Sequence, residues 1–196
     1  TIKMKKGLIA VVVLVALGLL CLSKYNSLVN KEEAVTSAWS QVENVYQRRA
    51  DLIPNLVNTV KGYAAHEKST LEAVVSARSR ATQITVDPQN LTEEQLLKYQ
   101  QTQGELASAL GKLLAITENY PELKANENFM ELQHQLEGTE NRIAVERKNF
   151  NEVAQDYNTT IRRFPTNIVA SVCGFERKAY FQAQEGAEKA PEVSFE

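Results

Sequence analysis

VTSAWSQVENVYQRRADLIPNLVNTVKGYAA, residues 35–65, is the stretch on which the fold turns. Val35, Trp39, Val42, Tyr46, Ile53, Leu56, Val60 and Tyr63 recur at alternating steps of four and three, with Arg49 at the one step that should be apolar. A seam of that period belongs to an amphipathic helix, because only a helix brings residues three and four apart onto one face. Pro54 interrupts the run and should remove a backbone hydrogen bond, kinking or dividing the helix. The apolar phase resumes unchanged beyond it, which predicts a kink rather than a turn. The pattern continues through Leu71, Val74 and Ala77 and fades in ATQITVDPQN, residues 81–90. The first helix is therefore expected to end near residue 81.

Downstream, Asp87 and Pro88 mark a loop, and Thr92 with Gln95 forms a capping box that opens a second helix. That helix carries Leu96, Leu106, Leu110, Leu113 and Leu114 and ends near Asn119, Tyr120 and Pro121. A third carries Phe129, Leu132, Leu136, Ile143, Phe150, Val153, Tyr157 and Ile161 at heptad steps, with Thr139 and Glu146 on the seam, and stops before Pro165. Residues 167–181 are apolar enough to pack as a short helix. With 8 Gly and 5 Pro in 196 residues, the chain lacks the turn residues that a sandwich or barrel needs. The expected class is all-α: an amino-terminal transmembrane helix continuing into an antiparallel bundle of three long helices plus a short fourth helical segment.

The transmembrane assignment rests on GLIAVVVLVALGLLCL, residues 7–22, which contains no charged or strongly polar side chain. At 1.5 Å per residue the run spans roughly 24 Å, near the lower limit for crossing the hydrocarbon core. A cleaved signal peptide is the rival reading, but Leu19 to Leu22 continue the apolar run past Ala16 and Gly18, where a polar region would follow a cleavage site. Four regions result: a short cytoplasmic terminus at 1–6, a span at 7–23, a helical bundle at 24–181 and a loosely ordered tail at 182–196. Lys3, Lys5 and Lys6 precede the span, whereas Lys24 and Lys31 follow it. The basic bias places the bulk domain outside the cytoplasm.

Relative lengths carry a further expectation. The first helix, from the membrane to residue 81, would be about 58 residues, against about 28 and about 38 for the next two. Folded back by short loops, those two would leave the stretch from Ser27 to Ala50 with little of its own chain opposite it. Leaving a large apolar side chain in water forgoes about 1.5–3 kcal/mol. Val35, Trp39, Val42 and Tyr46 are therefore candidate self-association residues, and the chain a candidate homo-oligomer; the alternative is that residues 167–181 fold back over the same surface and leave a monomer. Arg49 and Glu146 interrupt seams, as charges that fix register or partner choice do. Level counting places Glu122 and Glu127 as partners of Arg49.

Chemistry-bearing patterns are sparse. His66 and His134 are far apart and belong to no metal-ligand spacing, so no catalytic, cofactor or metal site is assigned. Asp51, His66 and Ser69 on one helix do not converge around a nucleophile. Setting aside Lys3, Lys5 and Lys6, 19 basic residues face 24 acidic ones, a mildly acidic balance that excludes the footprint of a nucleic-acid binder. Cys21 and Cys173 form no scaffold, and Cys173 reads as a small packing residue.

SAWSQVENVYQRRADLIPNLVNTVKGYAAHE (37–67), LLAITENYPELKANENFMELQHQLEGTENRIAVERKNFNEVAQDYNTTIRRFP (113–165) and the preceding YNSLV (25–29) closely resemble the LemA family of bacterial membrane proteins. The resemblance implies a short amino-terminal membrane anchor and an antiparallel helical bundle. It supplies no activity and no catalytic residue, and relatives among magnetosome membrane proteins point to membrane organisation. The expected protein is thus a non-enzymatic structural or interaction module of the bacterial inner membrane. Its expected partners are the lipid bilayer, further copies of itself and an unidentified envelope protein. A sensory or regulatory subunit of an envelope-stress or membrane-protein quality-control system is the alternative.

Overall fold

The structure, a computed structural model, describes residues 2–182, with side chains described from Gly7 onward. Residue 1, the side chains of residues 2–6, and the tail beyond Gln182 lie outside the described residues. The helices are α1 (Ile2–Tyr63), α2 (Lys68–Gln83), α3 (Glu93–Thr117), α4 (Pro121–Lys124), α5 (Glu127–Arg162) and α6 (Thr166–Cys173). A non-helical strap, Phe175–Gln182, follows α6. The all-α class matches the periodicity, and α3 starts on the expected capping box: Thr92 accepts from the Gln95 N–H while Gln95 accepts from the Thr92 N–H.

α1 is one helix of 62 residues, about 93 Å long. Over residues 7–23 every side chain is exposed and none is charged. This part projects free of the bundle and is long and apolar enough to cross a membrane. From Leu28 onward one face of the same helix is buried.

α1 continues through Pro54 without reversing. Proline has no N–H to offer the carbonyl four residues back. That carbonyl, on Ala50, instead accepts the Nε–H of Arg78 at 2.7 Å.

The reversal comes later than Pro54 and earlier than residue 81. The helix stops at Tyr63, the chain turns over residues 64–67, and α2 returns alongside α1. A continued helix would hold Arg78 about 42 Å from Ala50, so their hydrogen bond establishes the hairpin. Tyr120 donates to Glu67 at 3.0 Å and the Asn126 amide donates to the Tyr63 hydroxyl at 3.0 Å, pinning the turn from the facing elements. The expected first helix is therefore two helices.

One extra reversal changes the direction of everything after it. α3 runs back toward the distal tip, where α4 makes the corner and Asn126 caps α5 by accepting from the Phe129 N–H. α5 then descends toward the membrane along α1. The pairs Arg48–Gln135, Arg49–Glu140 and Lys31–Asp156 mark an antiparallel register along most of its length.

Two apolar cores result. The distal one gathers Ile53, Leu56 and Val60 of α1 with Leu71 and Val74 of α2, Leu106 and Leu113 of α3, and Phe129 of α5. The proximal one joins Leu28, Val35, Trp39 and Val42 of α1 to Tyr99, Phe150, Tyr157, Val169 and Phe181. α6 ends at Gly174, whose φ of +76° is left-handed. The Phe175 N–H then reaches the Ala170 carbonyl at 3.0 Å, a Schellman closure that redirects the chain into the strap. The short helix expected over 167–181 is thus confined to α6.

Candidate functional site

Val35, Trp39, Val42 and Tyr46 are all buried, and by their own chain. The Trp39 indole lies 5.2 Å from the Tyr99 ring, 5.6 Å from Phe150 and 5.9 Å from Phe181, the last stacked at 12°. The self-association seam is therefore corrected. α5 descends beside it and the strap closes over it, because the missed turn at 64–67 sends α5 toward the membrane instead of away from it.

The strap is held in a distinctive way. Asn158, buried on α5, accepts from the Lys178 N–H at 2.9 Å and donates to its carbonyl at 2.8 Å. One heptad earlier on the same face, Asn151 clamps the Phe181 N–H and carbonyl at 2.8 and 2.9 Å. Gln100 of α3 treats Gln182 in the same way, and the Arg147 guanidinium adds a bond to the Gln182 carbonyl at 2.9 Å. Three side-chain amides thus replace the neighbouring strand that a non-helical backbone lacks, satisfying its polar groups at buried Lys178 and Phe181 and at exposed Gln182. Lys178 is 4 % exposed, and its ammonium donates to Glu32 at 2.8 Å and to the Gln89 carbonyl. A buried cation needs such partners.

Beside Phe181 and Gln182, the described residues enclose a groove of about 580 Å³ between α3 and α5. Gln103, Gly104 and Ala107 form one wall, Ala144, Arg147 and Lys148 the other, and Tyr46 and Arg49 of α1 the floor. Arg49 is 2 % exposed. Its guanidinium donates to Glu140 at 2.8 Å and to the backbone and side-chain oxygens of Gln103 at 2.9 and 2.7 Å. It also stands 5.1 Å over the Tyr46 ring. This polar layer separates the two apolar cores. Burial pushes the Tyr46 and Tyr99 hydroxyls above their ordinary range, although nearby Arg147 and Arg49 pull Tyr46 the other way.

The partner of Arg49 is thus Glu140, not Glu122 or Glu127, which lie near the distal tip where α5 begins. Glu146 is corrected as well: it is half-buried and meets Asn149 on its own helix at 3.4 Å, so no buried specificity pair forms there. His66 in the turn and His134 on α5 are both exposed, and among the described residues no cluster of His, Cys, Asp and Glu suits a metal ion. Cys173 is exposed rather than packed. Arg78, Gln100, Asn151 and Asn158 were not singled out from the sequence. The seven-residue spacing of the two asparagines on one helix face was the available signal.

An all-α bundle built onto a helix able to cross a membrane defines the class of protein. The sequence model of the LemA family matches residues 38–195, and the chain belongs to that family. It is similar to Magnetosome protein MamQ 2 of Paramagnetospirillum magneticum, 30% identical over 191 residues covering 89% of this chain and 70% of the relative. Magnetosome protein MamQ of Magnetospirillum gryphiswaldense is 30% identical over 190 residues, covering 88% and 70%. Protein LemA of Metamycoplasma hominis is 29% identical over 160 residues, covering 82% and 69%.

Proposed function

We propose that the chain is a single-pass, non-enzymatic interaction module of the bacterial inner membrane, carrying its bundle outside the cytoplasm and offering the α3/α5 groove to an envelope protein. The observation that carries this reading is the continuity of α1, whose projecting apolar residues 7–23 run without a break into the helix that both cores pack against. A rigid connection of this kind holds the groove at a set height and orientation above a bilayer, which suits a part in organising that membrane. Orientation follows from the three lysines ahead of the span against Lys24 and Lys31 after it. Self-association through Val35, Trp39, Val42 and Tyr46 is not part of the proposal, because one chain already buries them.

The test places a photo-crosslinking side chain at Ala107 or Lys148 in the groove and, as control, at exposed Lys61. In native membranes the groove positions should give a discrete adduct that Lys61 does not. Gly104→Trp should abolish it, since a Cβ at Gly104 meets nothing within 4 Å and Gly104 lines the groove that the indole would fill. Equal adducts from groove and control, or adducts indifferent to Gly104→Trp, would contradict the reading. A membrane-impermeant thiol label on Gln135→Cys should react without breaching the inner membrane; reaction only after breaching it would reverse the orientation.

A further inference from the structure

α6 buries Thr166, Val169 and Ala170 against the proximal core, yet its other face is also apolar: Ile168 is 55% exposed and Val172 82%. Phe164, in the corner that leads into α6, is 80% exposed. Three large apolar side chains on eight-residue α6 and its approach would be out of place in water. Their position in the fold says what covers them. The ion pair of Lys31 with Asp156 sets the antiparallel register, so that Arg162, at the end of α5, stands level with Tyr25. The Tyr25 and Phe175 rings meet at 5.8 Å, tying the exit of α6 to the same level of α1. Tyr25 is two residues beyond Ser23, the end of the apolar stretch, and two residues of helix rise about 3 Å.

We infer that α6 and the Phe164 corner form a second membrane contact, a foot that lies in the headgroup region of the leaflet from which α1 emerges. It rests on reading residues 7–23 as a membrane span. Phe164, Ile168 and Val172 enter the boundary between headgroups and acyl chains, where short amphipathic helices settle. Tyr25, 42% exposed, has the amphipathic ring that is enriched at that depth. Charge agrees with placement. Arg162, Arg163 and Arg177 are exposed, Lys24 is half-exposed, and among the described residues none of the four is in an ion pair. Within residues 162–177 Glu176 is the one acidic side chain, so these cations form a rim suited to lipid phosphates. With one span and one foot, the bundle is fixed in tilt and rotation as well as held to the bilayer.

The full chain, with Cys21→Ser and Cys173→Ser, is reconstituted into vesicles of mixed zwitterionic and anionic phospholipid and spin-labelled at single sites. Accessibility to molecular oxygen against a water-soluble nickel chelate reports depth. Labels on Ile168→Cys and Val172→Cys should be shielded from the chelate and report a depth near the phosphates. A label on exposed Lys124→Cys at the distal tip should be fully accessible to it, and one on Leu14→Cys should report the hydrocarbon. Chelate accessibility at Val172 equal to that at Lys124, with Leu14 still in hydrocarbon, would overturn the foot and leave the anchor standing. A Leu14 label accessible to the chelate would overturn the anchor and the foot together.

Discussion

Pro54 cannot donate a backbone hydrogen bond, and the structure answers this with Arg78, whose Nε–H takes the place of the missing donor at the Ala50 carbonyl. The two residues should therefore be energetically coupled. Arg78→Met is expected to cost about 1–2 kcal/mol in the native background and clearly less beside Pro54→Ala, where the helix supplies its own donor. A double-mutant cycle by denaturant unfolding measures this, and purely additive effects would contradict it. Trp39 gives a second contrast. Its ring is packed among three aromatic rings, but its N–H has no partner among the described residues. Trp39→Ala should cost about 3–5 kcal/mol, while Trp39→Phe, which gives up only the smaller part of the ring, should cost less than half as much. Glycines separate by conformation. Gly104 is within α3 with open space where a Cβ would go, so Gly104→Ala should stabilise by up to about 1 kcal/mol. Gly174→Ala, at a left-handed φ of +76°, should destabilise by about 1–2 kcal/mol. Unfolding midpoints with shifts of the same sign at both positions would contradict the assignment.

At the level of elements, what was legible was what repeats. The heptad seam, the capping box at Thr92 and Gln95, and the end of α5 ahead of Pro165 all follow from local chemistry, and each is where the pattern puts it. The turn at 64–67 was hidden by the same periodicity. Leu71, Val74 and Ala77 must face the distal core after the reversal, and a stripe resuming after four residues is in phase with a helix that never stopped. Only Gly62, a weak helix former just before the break, hinted at it. That one turn has consequences along the whole chain, because the number of reversals decides whether α5 climbs or descends, and so what lies opposite Trp39. The amide clamps were illegible for another reason. Asn151, Asn158 and Gln100 act on a backbone that approaches from 20 or more residues away in sequence, and no local pattern announces such a meeting.

For the whole molecule, buried tyrosines shape the response to pH. Burial raises the folded-state values of Tyr46 and Tyr99, and Tyr157 shares the direction and the cause. Their contribution is complete below the unfolded-state value of about 10 and is lost as pH rises from there toward the folded-state values. The bundle should therefore lose denaturant resistance between about pH 10 and 11, and Tyr99→Phe should lose less over that interval than the native chain. The arrangement as a whole rests on one proposition: a single chain covers its own membrane-proximal seam by bringing α5 down antiparallel to α1. The most direct measurement is a pulsed-EPR distance between spin labels on Asn30→Cys and Gln155→Cys. Both sites are exposed and adjoin the Lys31–Asp156 pair, and the reconstituted chain would carry serine at both native cysteines and be diluted with unlabelled protein. The structure predicts a short distance that survives dilution. A separation beyond about 50 Å, as an ascending last helix would give, contradicts it. So does a short distance that vanishes on dilution, because the covering helix would then belong to another copy.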